Sequence, residues 1–396
     1  MEEKTMKLIK KITAAVIALA MAGCNEVPED VKSRAEQQQQ QTSSRSVGDT
    51  GDTADPSKNS DAEPTGITIA CKPDPINTDK FYILKTPDYL EGRFDDEDAK
   101  RLCSIMNGVF GTSFTVEDVE KEYMGSATNG GIVGENYGGN IGHTGPSFLF
   151  SLKGDIPIPE QIKDLGAYDL KRYTPDNYPK EKLVMTDGKE LAIEDAIKQT
   201  DGYIRSLKEY IISKDEELRL CGIYIGDTGC GAELILEYEQ MHYGLPLDNG
   251  GFLAFPAEPD IDLKAESAMR SGSFTALYLN SERPLRLWNC TDNTFVEKQE
   301  IDKILTFEEA SKKLTDTLAE NMTFTVEKAA LKYCCYYTAD VSSYTYRPMW
   351  TFVLKEQQDR KGYLQFLRPR IMGYVDAVNG DVYYSDYEKH YIEKAE

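Results

Sequence analysis

Tyr346-Arg347-Pro348-Met349-Trp350-Thr351-Phe352-Val353-Leu354, followed by Gly373-Tyr374-Val375-Asp376-Ala377-Val378-Asn379-Gly380-Asp381-Val382, decides the fold. Both runs are rich in β-branched and aromatic residues and are strands by composition. Asn379-Gly380 is a strong two-residue hairpin signal, because both central residues of such a turn take φ > 0. Strand side chains alternate, so Val375 and Ala377 are expected on one face and Tyr374, Asp376 and Val378 on the other. Trp350 is the expected core anchor on the face that meets a helix.

Upstream, Leu305-Thr306-Phe307-Glu308-Glu309-Ala310 opens a helix running to about residue 320, with strands at 329–338, 349–355, 371–378 and 381–384. The same order occurs upstream. Leu191-Ala192-Ile193-Glu194-Asp195-Ala196 opens a helix to about residue 212, with strands at 218–225, 232–241, 251–255 and 274–288. The two heads align as L-[AT]-[IF]-E-[DE]-A. A helix followed by antiparallel strands, twice, is an α+β architecture of tandem helix-plus-sheet units.

The second unit resembles PepSY-like modules. Their pattern is a helix opening in E-A, a strand reading P-x-W and a hairpin reading D-A-x-x-G, matched here by Glu309-Ala310, Pro348-Met349-Trp350 and Asp376 to Gly380. The match covers residues 300–386 well and 190–290 loosely. Tyr243-Gly244-Leu245-Pro246 in the first unit is similar to a stretch of extracytoplasmic regulatory proteins that restrain a sensor kinase. The resemblance implies a non-catalytic module that binds peptides or partner proteins, and it carries no catalytic residue over.

The N-terminus addresses the chain. Lys7, Lys10 and Lys11 precede an apolar run from Ile12 to Met21, the layout of a secretory signal. That run has about ten apolar residues, roughly half of what a bilayer span needs. Met21-Ala22-Gly23-Cys24 resembles a bacterial lipobox, which implies acylation of Cys24 and tethering at the extracytoplasmic face of a cell membrane. The following residues, 24–66, include Gln37 to Gln41 and almost no large apolar side chain. They are expected to be a disordered tether, because they cannot bury enough surface to offset ordering entropy. The expected organisation is thus signal peptide 1–23, tether 24–66, an N-terminal α+β region 67–185, a first unit 186–298 and a second unit 299–396.

Composition excludes some classes of function. The formal charge is −22, which argues against nucleic acid and anionic headgroups as partners. Of eight cysteines, seven remain besides Cys24, and an odd number leaves at least one unpaired within the chain. No zinc spacing is present and the histidines number three, so neither metal nor cofactor is expected. Cys334 and Cys335, adjacent in a strand, are expected on opposite faces.

Residues 67–185 are outside the resemblance. Asp95-Asp96-Glu97-Asp98 opens a helix toward Phe110; calcium binding is the alternative use of these acids. Residues 115–123 are expected to form a short helix started by Thr115 and Asp118. The glycine-rich run 125–145 is expected to be a surface loop, and its Tyr137, Asn140 and His143 are a candidate contact surface. Residues 147–153 alternate like a strand. Asp227-Thr228-Gly229 is the aspartic-protease tripeptide, but that chemistry needs a second aspartate, and a tight turn uses the same residues. The expected function is therefore a membrane-anchored binding or regulatory module for a peptide or envelope protein. A cell-envelope hydrolase using the N-terminal region is the alternative.

Overall fold

Trp350 lies in the strand Thr345–Glu356, is 2% exposed, and sets the centre of one core. Its ring packs on Phe307, with centroids 5.4 Å apart, and its indole N–H donates to the Leu305 carbonyl at 2.9 Å. Phe307 begins helix α3, Phe307–Leu318, which buries Ala310, Leu314 and Leu318 at i, i+4 and i+8. Thr306 and Glu309 close a reciprocal cap at the helix start (2.8 and 3.2 Å). Gly373 lets the helix lie close on the sheet, since a Cβ there would sit 2.7 Å from Leu314 Cδ1. Val375 and Ala377 join this core with Leu331, Phe352 and Leu354. Tyr374 packs on the opposite face with Met349, Met372, Tyr383 and Cys334, so Tyr374 and Val375 alternate as expected, while Val378 lies past the strand's end and is exposed. Cys334 and Cys335 divide between the two faces in the same way.

The hairpin after Ala377 is built differently from the sequence expectation. Only Gly380 has positive φ (81°), so Asn379-Gly380 is not a turn with two left-handed residues. The buried Asp376 carboxylate organises a longer loop instead. Its Oδ1 accepts from the Val378 and Asn379 amides (2.7 and 3.3 Å), and its Oδ2 lies 3.3 Å from Arg347. An acceptor fixed two residues upstream outcompetes the local preference of the Asn-Gly pair.

The structure is a computed structural model that describes residues 67–86, 94–124, 127–133, 137–142, 148–152, 170–212, 216–248, 255–256, 273–289, 295–318, 324–326, 328–337, 345–356, 370–386 and 391–394. These belong to one compact unit, Pro64–Glu396. Cys24, the signal sequence and the expected tether lie outside the described residues. The smaller of the two main sheets runs Phe255–Pro256, Lys328–Tyr337, Thr345–Glu356, Arg370–Asp376, Val382–Asp386, Tyr391–Lys394. Phe81–Lys85 pairs beside Thr345 and Tyr346, and Glu297–Ile301 pairs with Phe81–Lys85.

The larger sheet runs Glu120–Met124, Ala127–Val133, Gly138–Gly142, Phe148–Ser151, Arg286–Asn289, Ser273–Tyr278, Ala232–His242, Glu216–Asp227, Lys171–Tyr173, with Leu245–Pro246 attached to Ala232–His242. Helices α1, Asp96–Phe110, and α2, Ile193–Leu207, share a core with Leu234, Leu236, Tyr238, Phe274, Tyr278, Phe148 and Phe150. The protein is therefore α+β. Residues 67–185 contribute to both sheets, since Phe81–Lys85 joins the smaller and the strands from Glu120 to Tyr173 join the larger.

Three expected elements are corrected. Residues 115–123 are not a helix: Asp118 caps Thr115 (2.7 Å), yet only Val116–Asp118 makes a 3-10 turn before Glu120–Met124 pairs as a strand. Within the run 125–145, Ala127–Val133 and Gly138–Gly142 are paired strands and not loop. Its glycines admit α1 against the sheet: a Cβ on Gly130 would lie 2.0 Å from the Phe94 ring, and one on Gly139 would lie 2.8 Å from Met106 Sδ. The expected strand 274–288 is a hairpin of Ser273–Tyr278 and Arg286–Asn289. Its bend is held by Asn280 Oδ1, which accepts from the Glu282 and Arg283 amides.

Trp350→Ala should cost about 3–5 kcal/mol, because a fully buried ring is removed. Urea unfolding measures it, and a loss under about 1 kcal/mol would contradict this packing.

Candidate contact site at the seam of the two sheets

The strand Ala232–His242 turns at Tyr243-Gly244 and returns as Leu245–Pro246. Both turn residues have positive φ, 50° for Tyr243 and 83° for Gly244. The two-residue primed hairpin expected at Asn379-Gly380 therefore occurs here. Glycine suits its place on steric grounds too, since a Cβ on Gly244 would lie 2.8 Å from Thr78 Cβ. Tyr243 is the only non-glycine residue with positive φ among the described residues. Such a backbone costs on the order of 1–3 kcal/mol and persists only where its surroundings impose it.

The chain then crosses between sheets. The Leu247 amide donates to the Gln240 carbonyl in the larger sheet (2.8 Å), and the Asp248 amide donates to the Tyr333 carbonyl in the smaller (2.9 Å). Lys332 lies 3.8 Å from Asp248 at the same crossing.

Three segments meet beside this hairpin. The Tyr82 and Tyr243 ring centroids are 4.9 Å apart at an interplanar angle of 53°, so the two tilted rings form a notch. Lys298 Nζ lies 5.3 Å from the Tyr82 centroid and 4.7 Å from that of Tyr243. Both distances are within the range of a cation–π contact. Tyr82 comes from Phe81–Lys85 and Lys298 from the exposed strand Glu297–Ile301 paired with it. On that strand Glu297 pairs with Lys85 (3.8 Å) and Glu300 with Lys80 (3.7 Å). Tyr333 is fully buried in the same cluster. Burial pushes its pKa up, while the nearby Tyr82 backbone acts the other way. The notch can hold a cation by its π faces; it carries no nucleophile.

His242, one residue before the turn, is 1% exposed and stands opposite Glu216 across the ladder. Its ring meets Phe295 edge-on at 4.8 Å, and Phe295 meets Tyr346 at 5.3 Å. Burial pushes the imidazole down to about 4, so it is neutral at pH 7.

Of the residues singled out from sequence as contacts, Tyr137 and Asn140 are described. Tyr137 is half-buried; its hydroxyl accepts from Arg283 Nη1 (2.7 Å), and that guanidinium lies 5.0 Å from its ring. Asn140 Oδ1 accepts from the Leu149 amide (3.0 Å), a bond between neighbouring strands. His143 and Cys24 lie outside the described residues. Asp227-Thr228-Gly229 forms the turn between Glu216–Asp227 and Ala232–His242: Asp227 Oδ1 accepts from the Gly229 amide (2.8 Å) and Thr228 Oγ1 donates to Gly231 (2.8 Å). Asp95 and Asp98 form a reciprocal cap on α1, so these acids serve the helix start. Cys71, Cys103, Cys221, Cys230, Cys334 and Cys335 are thiols, and the described residues contain no group of three metal-ligating side chains. Tyr82 and Lys298 had no signal in the sequence, because their meeting depends on strand pairing between distant segments.

No family model matches the chain, and no curated protein matches it. A crystal structure of an uncharacterized protein from Eubacterium rectale is similar with a TM-score of 0.50 at 14% identity, covering 80% of this chain and 90% of that one. At that identity the likeness concerns the fold alone.

His242 gives an acid sensitivity of definite sign. Its folded pKa lies below the ordinary value of 6.5, so the unfolded chain binds more protons between about 4 and 6.5. This contribution is complete above pH 6.5 and is lost as pH falls toward 4. Between pH 7 and 4, wild type should lose roughly 3 kcal/mol more stability than His242→Phe in urea titrations. Equal losses would contradict a buried neutral imidazole.

Proposed function

We propose that this protein is a lipid-anchored extracytoplasmic lipoprotein that acts as a non-catalytic binding or regulatory module for a peptide or envelope protein. The observation that carries the reading is Tyr243, held in a left-handed backbone at the seam beside Tyr82 and Lys298. Strain of that kind on a partly exposed aromatic side chain fits a contact residue better than a core residue. The hairpin is also the Tyr243-Gly244-Leu245-Pro246 stretch whose resemblance is to restraining partners of sensor kinases. Support for PepSY-like units comes from α3 lying over Trp350 and α2 over Tyr278, each followed by antiparallel strands. The sequence around Cys24 supports the anchor.

Cys24→Ser tests the anchor. The variant should lose acylation and leave the detergent phase, whereas unchanged mature mass and partitioning would contradict it. Cross-linking in intact cells should recover an envelope protein with the wild-type chain and less with Cys24→Ser. Recovery of none, together with cleavage of envelope polymers by the purified chain, would favour the hydrolase reading instead.

A further inference from the structure

We propose that the Tyr82–Tyr243 notch is a cation subsite that receives a lysine side chain from an extended segment of a partner protein, with Lys298 as its built-in occupant. The inference rests on the reading of the chain as a binding module and gives the chemistry of one contact. Two tilted π faces converge on one ammonium group, at 4.7 and 5.3 Å. Quadrupole attraction at such distances favours a cation over a neutral group. Lys298 makes no ion pair among the described residues, although the chain carries a net charge of −22 and its strand neighbours Glu297 and Glu300 are ion-paired. Among the described residues two tyrosines, and no carboxylate, hold this lysine.

The place of the notch indicates how a partner would reach it. Glu297–Ile301 is exposed along its length except at Ile301 and pairs with Phe81–Lys85 on one side. No strand covers its other side among the described residues. An extended segment can add there through main-chain hydrogen bonds, with alternate side chains facing the notch. Displacing Lys298 opens no core, because that side chain is exposed. Glu297 and Glu300 sit in exposed ion pairs, which hold weakly and are available to the basic residues of an arriving strand. Tyr243 carries its ring on the tight turn, where its backbone is left-handed. The competing account is that Lys298 only guards an edge strand against aggregation, a common use of edge lysines.

The test titrates the full chain with an acetylated nine-residue peptide of alternating lysine and threonine, at low salt. Lys298→Ala should bind about tenfold tighter than wild type, because the resident competitor is gone. Adding Tyr243→Gly to Lys298→Ala should remove that gain, which separates the rings from the change in charge. Glycine tolerates the left-handed backbone, so this variant keeps the hairpin, and thermal melting checks it. Tyr82→Leu in the Lys298→Ala background is the second variant, with the same expected loss. A peptide of equal charge with proline at alternate positions should bind at least tenfold more weakly. Lys298→Ala binding no tighter than wild type, or the double variants keeping its affinity, overturns the subsite and leaves Lys298 as an edge guard. Equal binding of the proline peptide overturns strand addition. Envelope-protein capture by Tyr243→Gly at the wild-type level overturns this inference while the broader binding reading stands.

Discussion

The Leu247 amide donates to the Gln240 carbonyl, and one residue later the Asp248 amide donates to the Tyr333 carbonyl. Between those two hydrogen bonds the chain leaves one sheet and joins the other. Buried backbone groups need partners, so a crossing of this kind has few geometries open to it. Leu245 and Leu247 are each 1% exposed and pack in the core under Trp350, which ties the crossing to α3 as well. The same run fixes the tight turn that places Tyr243 against Tyr82, and it buries His242 next to Phe295. Local strain at Tyr243 is thus offset by burial on both sides of it. The tyrosine pair and the acid-sensitive group both follow from one crossing.

Much of the smaller sheet was legible in the sequence because its determinants are local. Alternation around Tyr374 and Val375 gave the two faces, Trp350 gave the core, and the Thr306–Glu309 cap lies where the apolar repeat of α3 begins. The misreadings have a shared cause in tertiary context. Glycine at 130 and 139 reads as loop, yet there it makes room for Phe94 and Met106 in a paired sheet. Thr115 and Asp118 form their cap, but the ladder with Ala127–Val133 outcompetes helix propensity after one turn. Asn379-Gly380 has the composition of a primed turn, and the Asp376 carboxylate imposes another.

The candidate site was far less legible. Tyr243-Gly244 stood out only as part of a short motif, and tyrosine is a poor signal for left-handed backbone. Its partners come from strands about fifty to one hundred and sixty residues away in sequence, and no periodicity reports such pairings. Tyr137 and Asn140 stand in a glycine-rich run that reads as loop. Once that segment is a pair of strands, Asn140 serves the ladder and Tyr137 engages Arg283. The aspartic-protease tripeptide shows the same effect, since its side chains close a turn.

The crossing at Leu245–Asp248 should make the two sheets unfold as one cooperative structure, and the chain's two tryptophans offer a direct measurement. Trp288 lies in the larger sheet and Trp350 in the smaller. In single-tryptophan variants, Trp350→Phe reports on the larger sheet and Trp288→Phe on the smaller. Each is unfolded in urea and followed by fluorescence and by far-ultraviolet circular dichroism. The expected result is one transition in each variant, with coincident fluorescence and dichroism midpoints. A fluorescence midpoint separated from the dichroism midpoint, early for one tryptophan and late for the other, would mean that the sheets unfold independently and would contradict the account.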